Sequence, residues 1–175
     1  MATRANIIVR VPAELIGTVI NFDAKKLPTI VGHGERINNE WQGVAHEELE
    51  REPLTICNEW LSIYNHSDGY PEGLGEMLQA HFTDLDSVLN LMAGGNICGL
   101  YKEYYNAFRD NKEWGDNPYK AEQRNSDPGL YECYAYIWDN GKWYMRDWDY
   151  HRGNDRRPLL PVLKRLRKKA EQEAA

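Results

Sequence analysis

The sequence predicts an α+β fold, in which an antiparallel, aromatic-rich sheet packs against several short helices and is followed by a basic amphipathic C-terminal helix. Three observations carry this. Tyr131-Glu132-Cys133-Tyr134-Ala135-Tyr136-Ile137-Trp138 and Trp143-Tyr144-Met145-Arg146-Asp147-Trp148 flank Asp139-Asn140-Gly141-Lys142. Asn-Gly between two aromatic, alternating runs is a strong hairpin signal, because a type I′ turn needs φ > 0 at both central residues. Leu74, Met77, Leu78 and Phe82, then Leu85, Val88, Leu89 and Met92, recur at helical spacing after the strand-like Trp60-Leu61-Ser62-Ile63-Tyr64. Finally, Leu159, Val162, Leu163, Leu166 and Ala170 form one helical stripe, with Lys164, Arg165, Arg167, Lys168 and Lys169 around the rest.

A chain of 175 residues fits one domain, and a single domain over 1–175 is expected. The aromatic share is 11%, with six Trp and eleven Tyr, so these rings serve a core or a contact surface. The three cysteines, Cys57, Cys98 and Cys133, are far apart and form no CxxC pair, which argues against a zinc site or a disulfide framework. They read as reduced thiols of a cytoplasmic protein. The start Met1-Ala2-Thr3-Arg4-Ala5 has no apolar leader, and no apolar run approaches the roughly 18 residues that a membrane span needs. Net charge is −6; residues 152–175 carry eight Lys/Arg against three acids, a balance of +5, which leaves −11 on the rest. Such a body disfavours nonspecific nucleic-acid binding outside the C-terminal helix, since phosphate contacts supply most of that affinity.

In chain order, Ala5 to Val11 is β-branched and ends at Pro12, so it reads as the first strand. Residues 13–31 suggest a hairpin or an irregular strand pair around Val19-Ile20 and Thr29-Ile30-Val31, and Gly32-His33-Gly34-Glu35 reads as a turn. From Asn39 to Glu52 the spacing of Trp41, Val44, Ala45 and Leu49 predicts a short acidic helix stopped before Pro53. Leu54 to Tyr64 is strand-like. After the helix from Leu74 to His81, Thr83-Asp84-Leu85-Asp86 predicts a Thr cap for a second helix, which Gly94-Gly95 ends. Ile97, Leu100, Tyr101, Tyr104, Tyr105 and Phe108 suggest a third helix, and residues 109–129 a long surface loop.

The densest chemistry lies in Tyr64-Asn65-His66-Ser67-Asp68-Gly69-Tyr70-Pro71-Glu72-Gly73-Leu74-Gly75. Taken with Thr3-Arg4-Ala5-Asn6-Ile7 before it and Gly141-Lys142-Trp143-Tyr144 after it, this stretch resembles a family of small bacteriophage and prophage proteins. Members carry a His-x-Asp-Gly-Tyr-Pro-Glu-Gly turn followed by a Leu-rich helix. The resemblance is strongest over residues 60–95. Two departures stand out: an insertion at about 12–56, where relatives have a short hairpin, and Ser67 where an aromatic is common. The resemblance implies phage origin and carries no reaction.

Three readings of this turn stay open. As structure, Asp68-Gly69 and Tyr70-Pro71 are turn dipeptides, and His66 and Asp68 brace each other. As a binding site, a Gly-rich helix start offers N–H groups to an anion, with Arg4, His66 and Tyr70 alongside and Glu72 opposing. As a catalytic site, His66 serves as base with Asp68 or Glu72. The leading expectation is a non-enzymatic phage accessory protein, located in the host bacterial cytoplasm. It binds and inhibits a host protein, such as a component of anti-phage defence of the CRISPR kind. Trp41, Glu47, Glu48, Trp114, Arg165 and Lys168 are the candidate partner contacts. The alternative is a nucleotide sponge or hydrolase using Arg4, His66, Asp68, Tyr70 and Glu72. No catalytic residue, cofactor or metal is expected; self-association and nucleic-acid contact through the C-terminal helix are further partner readings.

Overall fold

In the computed structural model, which describes residues 2–27, 33–37, 40–44, 51–100, 105–107 and 120–175, the architecture is α+β. Strand β1 (Ala5–Arg10) is central to an 8-stranded sheet. Its β-branched run pairs antiparallel with β6 (Trp60–Asn65) and parallel with β10 (Tyr134–Asp139). The hairpin continues from β10 into β11 (Lys142–Asp147) through Asn140 and Gly141, at φ 51° and 81°. Beyond β11 lies β12 (Arg157–Pro158), and on the far side of β6 lie β7 (Ile97–Leu100) and β8 (Tyr105–Ala107). Strand β9 (Glu122–Arg124) also pairs with β6.

The expected sheet was antiparallel; the observed one is mixed. The chain leaves β6, passes through α1 (Glu76–His81) and α2 (Leu85–Gly94), and returns in β7 parallel to β6. That is the crossover connection that parallel pairing requires. The β1–β10 pair joins residues more than a hundred positions apart, beyond the reach of any local signal. Each strand points alternate residues to opposite faces. Ile7, Val9, Leu61, Ile63, Tyr136 and Met145 meet the helices on one face, with Leu78, Phe82, Leu91 and Leu163 packed against them. Ile8, Trp60, Ala135 and Ile137 form a smaller apolar cluster on the other, against Leu130 and Tyr144.

Other expectations change. Residues 97–100 and 105–107 are strands and not parts of a helix, because β-branched and aromatic residues fit a sheet slot left open beside β6. Glu40–Val44 is strand β4, paired with β3 (His33–Ile37), so the expected helix does not begin at Asn39 and His33-Gly34-Glu35 is not a turn. Residues 45–50 lie outside the described residues. Strand β2 (Val19–Ile20) pairs with β5 (Leu54–Thr55), so no hairpin closes within residues 13–27. The cap of α2 is Asp84 and not Thr83: its Oδ1 accepts the Ser87 N–H at 2.7 Å. A carboxylate one residue later caps as well as a hydroxyl and adds charge at the positive helix end. The expected surface loop at 109–129 contains β9; residues 109–119 lie outside the described residues. Parts of residues 12–56 join the core, as Leu27 and Ile56 are buried and Asn90 exchanges hydrogen bonds with the backbone of Asp23.

The C-terminal helix α3 (Leu159–Ala174) docks through Leu159, Val162 and Leu163. From Arg167 onward every residue is exposed, and Arg167 reaches back to Glu76 through two of its nitrogens.

Candidate functional site

Strand β6 delivers the motif turn to the edge of the core, and the turn is tied down by its backbone. His66 and Ser67 donate their N–H groups to Ile97 and Cys98 of β7, and Gly69 donates to the Thr3 carbonyl at 2.9 Å. The Tyr136 hydroxyl, fully buried, donates to the Gly69 carbonyl at 2.6 Å. Pro71 begins a single π-helical turn over Pro71–Gly75 that runs straight into α1. Within it Gly73 N–H bonds the Tyr70 carbonyl and Leu74 N–H bonds the Asp68 carbonyl. Pro71 has no N–H, so the donors that an anion would need at this helix start are largely spent. The glycines have steric reasons too: a Cβ on Gly75 would lie 3.1 Å from the Tyr136 ring. Replacing Tyr136 by Phe strands the buried Gly69 carbonyl, and should lower stability by about 1–3 kcal/mol without changing the fold. Urea unfolding of the purified variant checks this.

The five motif residues fall into two groups. His66 does not brace Asp68; its Nδ1 lies 2.8 Å from the Tyr64 hydroxyl, in one hydrogen bond whose direction follows the imidazole tautomer. Burial pushes the Tyr64 hydroxyl pKa up, against the pull of the nearby Arg4 guanidinium, so the phenol stays protonated at neutral pH. Pairing of Ala5 with both Asn65 and Tyr134, and of Asn65 with Ile97, sets Cys133, Arg4, His66 and Cys98 side by side at one end of the sheet. Asp68, Tyr70 and Glu72 line a cleft against α1. Among the expected partner contacts, Arg165 and Lys168 are exposed on α3. Trp41 lies in β4 with its side chain outside the described residues, as are Glu47, Glu48 and Trp114.

The second face of the sheet holds what the sequence reading missed. Residues 127–132 cross it. Asp127 takes two hydrogen bonds from the buried Arg146, at 2.9 and 2.6 Å, and the Tyr131 hydroxyl meets Asn6 Nδ2 at 2.6 Å and Ser62 Oγ at 3.1 Å. The carbonyl of Glu132, the next residue, accepts the indole N–H of Trp148 at 3.0 Å. Trp148 is 57% exposed and Tyr131 46%, the largest values among the aromatics of the described residues. The turn that follows is held in an unusual shape: His151, Arg152 and Gly153 have φ 47°, 53° and 76° in succession. Two non-glycine residues in the left-handed region cost about 1–2 kcal/mol each and persist only where surroundings fix them. Here Asp147 accepts the Tyr150 N–H and an Arg157 N–H, Arg157 lies over the Tyr150 ring at 4.7 Å, and Tyr150 stacks on His151 at 4.2 Å. A Cβ on Gly153 would meet Leu130 at 2.5 Å, so the turn closes tightly behind Trp148. An exposed tryptophan on a rigid seat was signalled only by its place in Asp147-Trp148-Asp149, an aromatic between acids just past the hairpin.

Asp127 also yields a pH prediction. Burial pushes its pKa up, but the Arg146 guanidinium and the Gly129 N–H outweigh this and hold it below the usual 3.8. A carboxyl depressed in the folded state stabilises the fold above the unfolded pKa, and that stability is lost as pH falls through the folded value. Unfolding free energy should therefore decline below about pH 4, with a shallower slope in Asp127→Asn, as read from urea titrations at several acid pH values.

Among the described residues no group of three or more His, Cys, Asp or Glu is placed to hold a metal ion, and no helix is long and apolar enough to cross a membrane. Comparison with known proteins found no matching family model, curated protein or solved structure.

Proposed function

We propose that this chain is a phage accessory protein that binds a host protein in the bacterial cytoplasm and inhibits it, the target being a component of anti-phage defence. The observation that carries the binding reading is Trp148, exposed yet held by its indole hydrogen bond to the Glu132 carbonyl and by the close approach of Gly153, with exposed Tyr131 preceding Glu132 in the chain. Tryptophan, tyrosine and arginine dominate the energetics of protein interfaces, and a side chain held in place loses little entropy on binding. The phage assignment rests on the motif resemblance. The backbone hydrogen bonds of His66, Ser67, Gly69, Gly73 and Leu74 support a scaffold role for that turn. The test is capture from host lysate by the immobilised protein, followed by an activity assay of the recovered partner. One specific partner, inhibited at stoichiometric dose, is expected; absence of any specific partner overturns the reading.

A second reading, a nucleotide-binding protein, is favoured by one observation: Arg4 lies near the Tyr64–His66 pair. A thermal shift with a nucleotide panel, lost in His66→Ala, is the result that would support it.

A further inference from the structure

The cleft between the motif turn and α1 has a volume of about 370 Å³. Its lining is divided by chemistry. Met77, Ala80 and Leu100 give it an apolar floor, Met77 and Leu100 being buried. Tyr70, 38% exposed, forms one wall, and Asp68, Glu72 and Glu76 bring carboxylates to it, against His81 as the one basic lining residue. Among the described residues neither Asp68 nor Glu72 has a side-chain partner.

We infer that this cleft binds an alkylguanidinium, an arginine side chain or a small molecule of that chemistry. An apolar floor beneath carboxylates fits a ligand with an aliphatic stem and a cationic head. Tyr70, in the lining of the same cleft, supplies an aromatic ring to attract the cation. The protein itself supplies an independent precedent at the edge of the cleft: Arg167, reaching over from α3, engages both carboxylate oxygens of Glu76. That fork geometry is specific to guanidinium and is not reproduced by an ammonium. The Arg167 pair neutralises Glu76 and leaves Asp68 and Glu72 for a second cation. The site is separate from the Trp148 surface and does not depend on it.

The test uses the full chain and three probes: butylguanidinium, its uncharged isostere butylurea, and the peptide acetyl-Gly-Arg-Gly-amide. Binding is followed by the backbone amide signals of Gly73, Met77 and Ala80. Saturable shifts with both guanidinium probes and none with butylurea are expected. The double variant Asp68→Asn/Glu72→Gln should weaken binding about fivefold or more at low salt, while Trp148→Ala leaves it unchanged. Tighter binding of the peptide assigns the cleft to a protein's arginine, and equal binding to a small molecule. Equal shifts with butylurea, unchanged binding by the double variant, or no saturation with any probe overturns the inference.

Discussion

Gly69→Ala should destabilise the protein by about 3 kcal/mol or more, lowering the urea midpoint by roughly 1–2 M. A Cβ on Gly69 would sit 2.7 Å from the Ala5 Cβ, 2.9 Å from the Thr3 carbonyl oxygen and 3.1 Å from the Ala5 nitrogen. Two of these are backbone atoms, one in the central strand β1 and one just before it, and they cannot step aside as a flexible side chain would. Relief requires the turn to lift away from β1, which breaks both the Gly69–Thr3 hydrogen bond and the buried bond from Tyr136. Each stranded buried polar group adds about 1–3 kcal/mol to the cost of overpacking. Gly129→Ala is the contrasting case. A Cβ there meets nothing within 4 Å and only its φ of 76° opposes the change, so about 1 kcal/mol is expected. Equal midpoints for the two variants would show that the motif turn is not locked against β1.

Trp148→Ala should lower affinity for the host partner by about 2 kcal/mol or more, roughly 30-fold, while leaving the fold intact. The indole is mostly outside the core, and its one hydrogen bond, to the Glu132 carbonyl, lies at the surface. Truncation therefore costs about 1 kcal/mol or less in stability. On the partner side it removes a large rigid apolar surface whose orientation is set before binding. Calorimetric titration of the recovered partner, with thermal unfolding as the fold control, separates the two effects.

The hairpin and the two ends of the core were legible in the sequence because their signals are local. Asn140-Gly141 satisfies a backbone requirement at its own position, and the Leu159 to Leu166 stripe declares a docked face within one helix. What stayed hidden is set by distant partners. Ile97 to Leu100 has apolar spacing compatible with helix or strand, and only the open edge of β6 decides for strand. Glu40 to Val44 likewise pairs with a strand, His33 to Ile37, whose first three residues belong to the Gly32-His33-Gly34-Glu35 stretch that reads as a turn. The candidate site divides in the same way. His66 and Asp68 stand two apart in sequence and look like a pair, yet the positive φ of Asp68, 53°, turns its side of the chain toward α1 while His66 stays on the Tyr64 side. Trp148 reads in the sequence as the end of the alternating hairpin strand, but that strand stops at Asp147, and the place of Trp148 comes from Glu132 and Gly153 closing around it.

The central claim is that host-protein binding resides in the Trp148 surface, with His66 and the backbone of the motif turn acting as scaffold. Its most direct test is parallel capture of the host partner by the wild type, Trp148→Ala and His66→Ala proteins, all confirmed as folded. Retention of the partner by wild type and His66→Ala, with loss from Trp148→Ala, is predicted. Loss from His66→Ala with retention by Trp148→Ala would contradict the account and return the function to the turn.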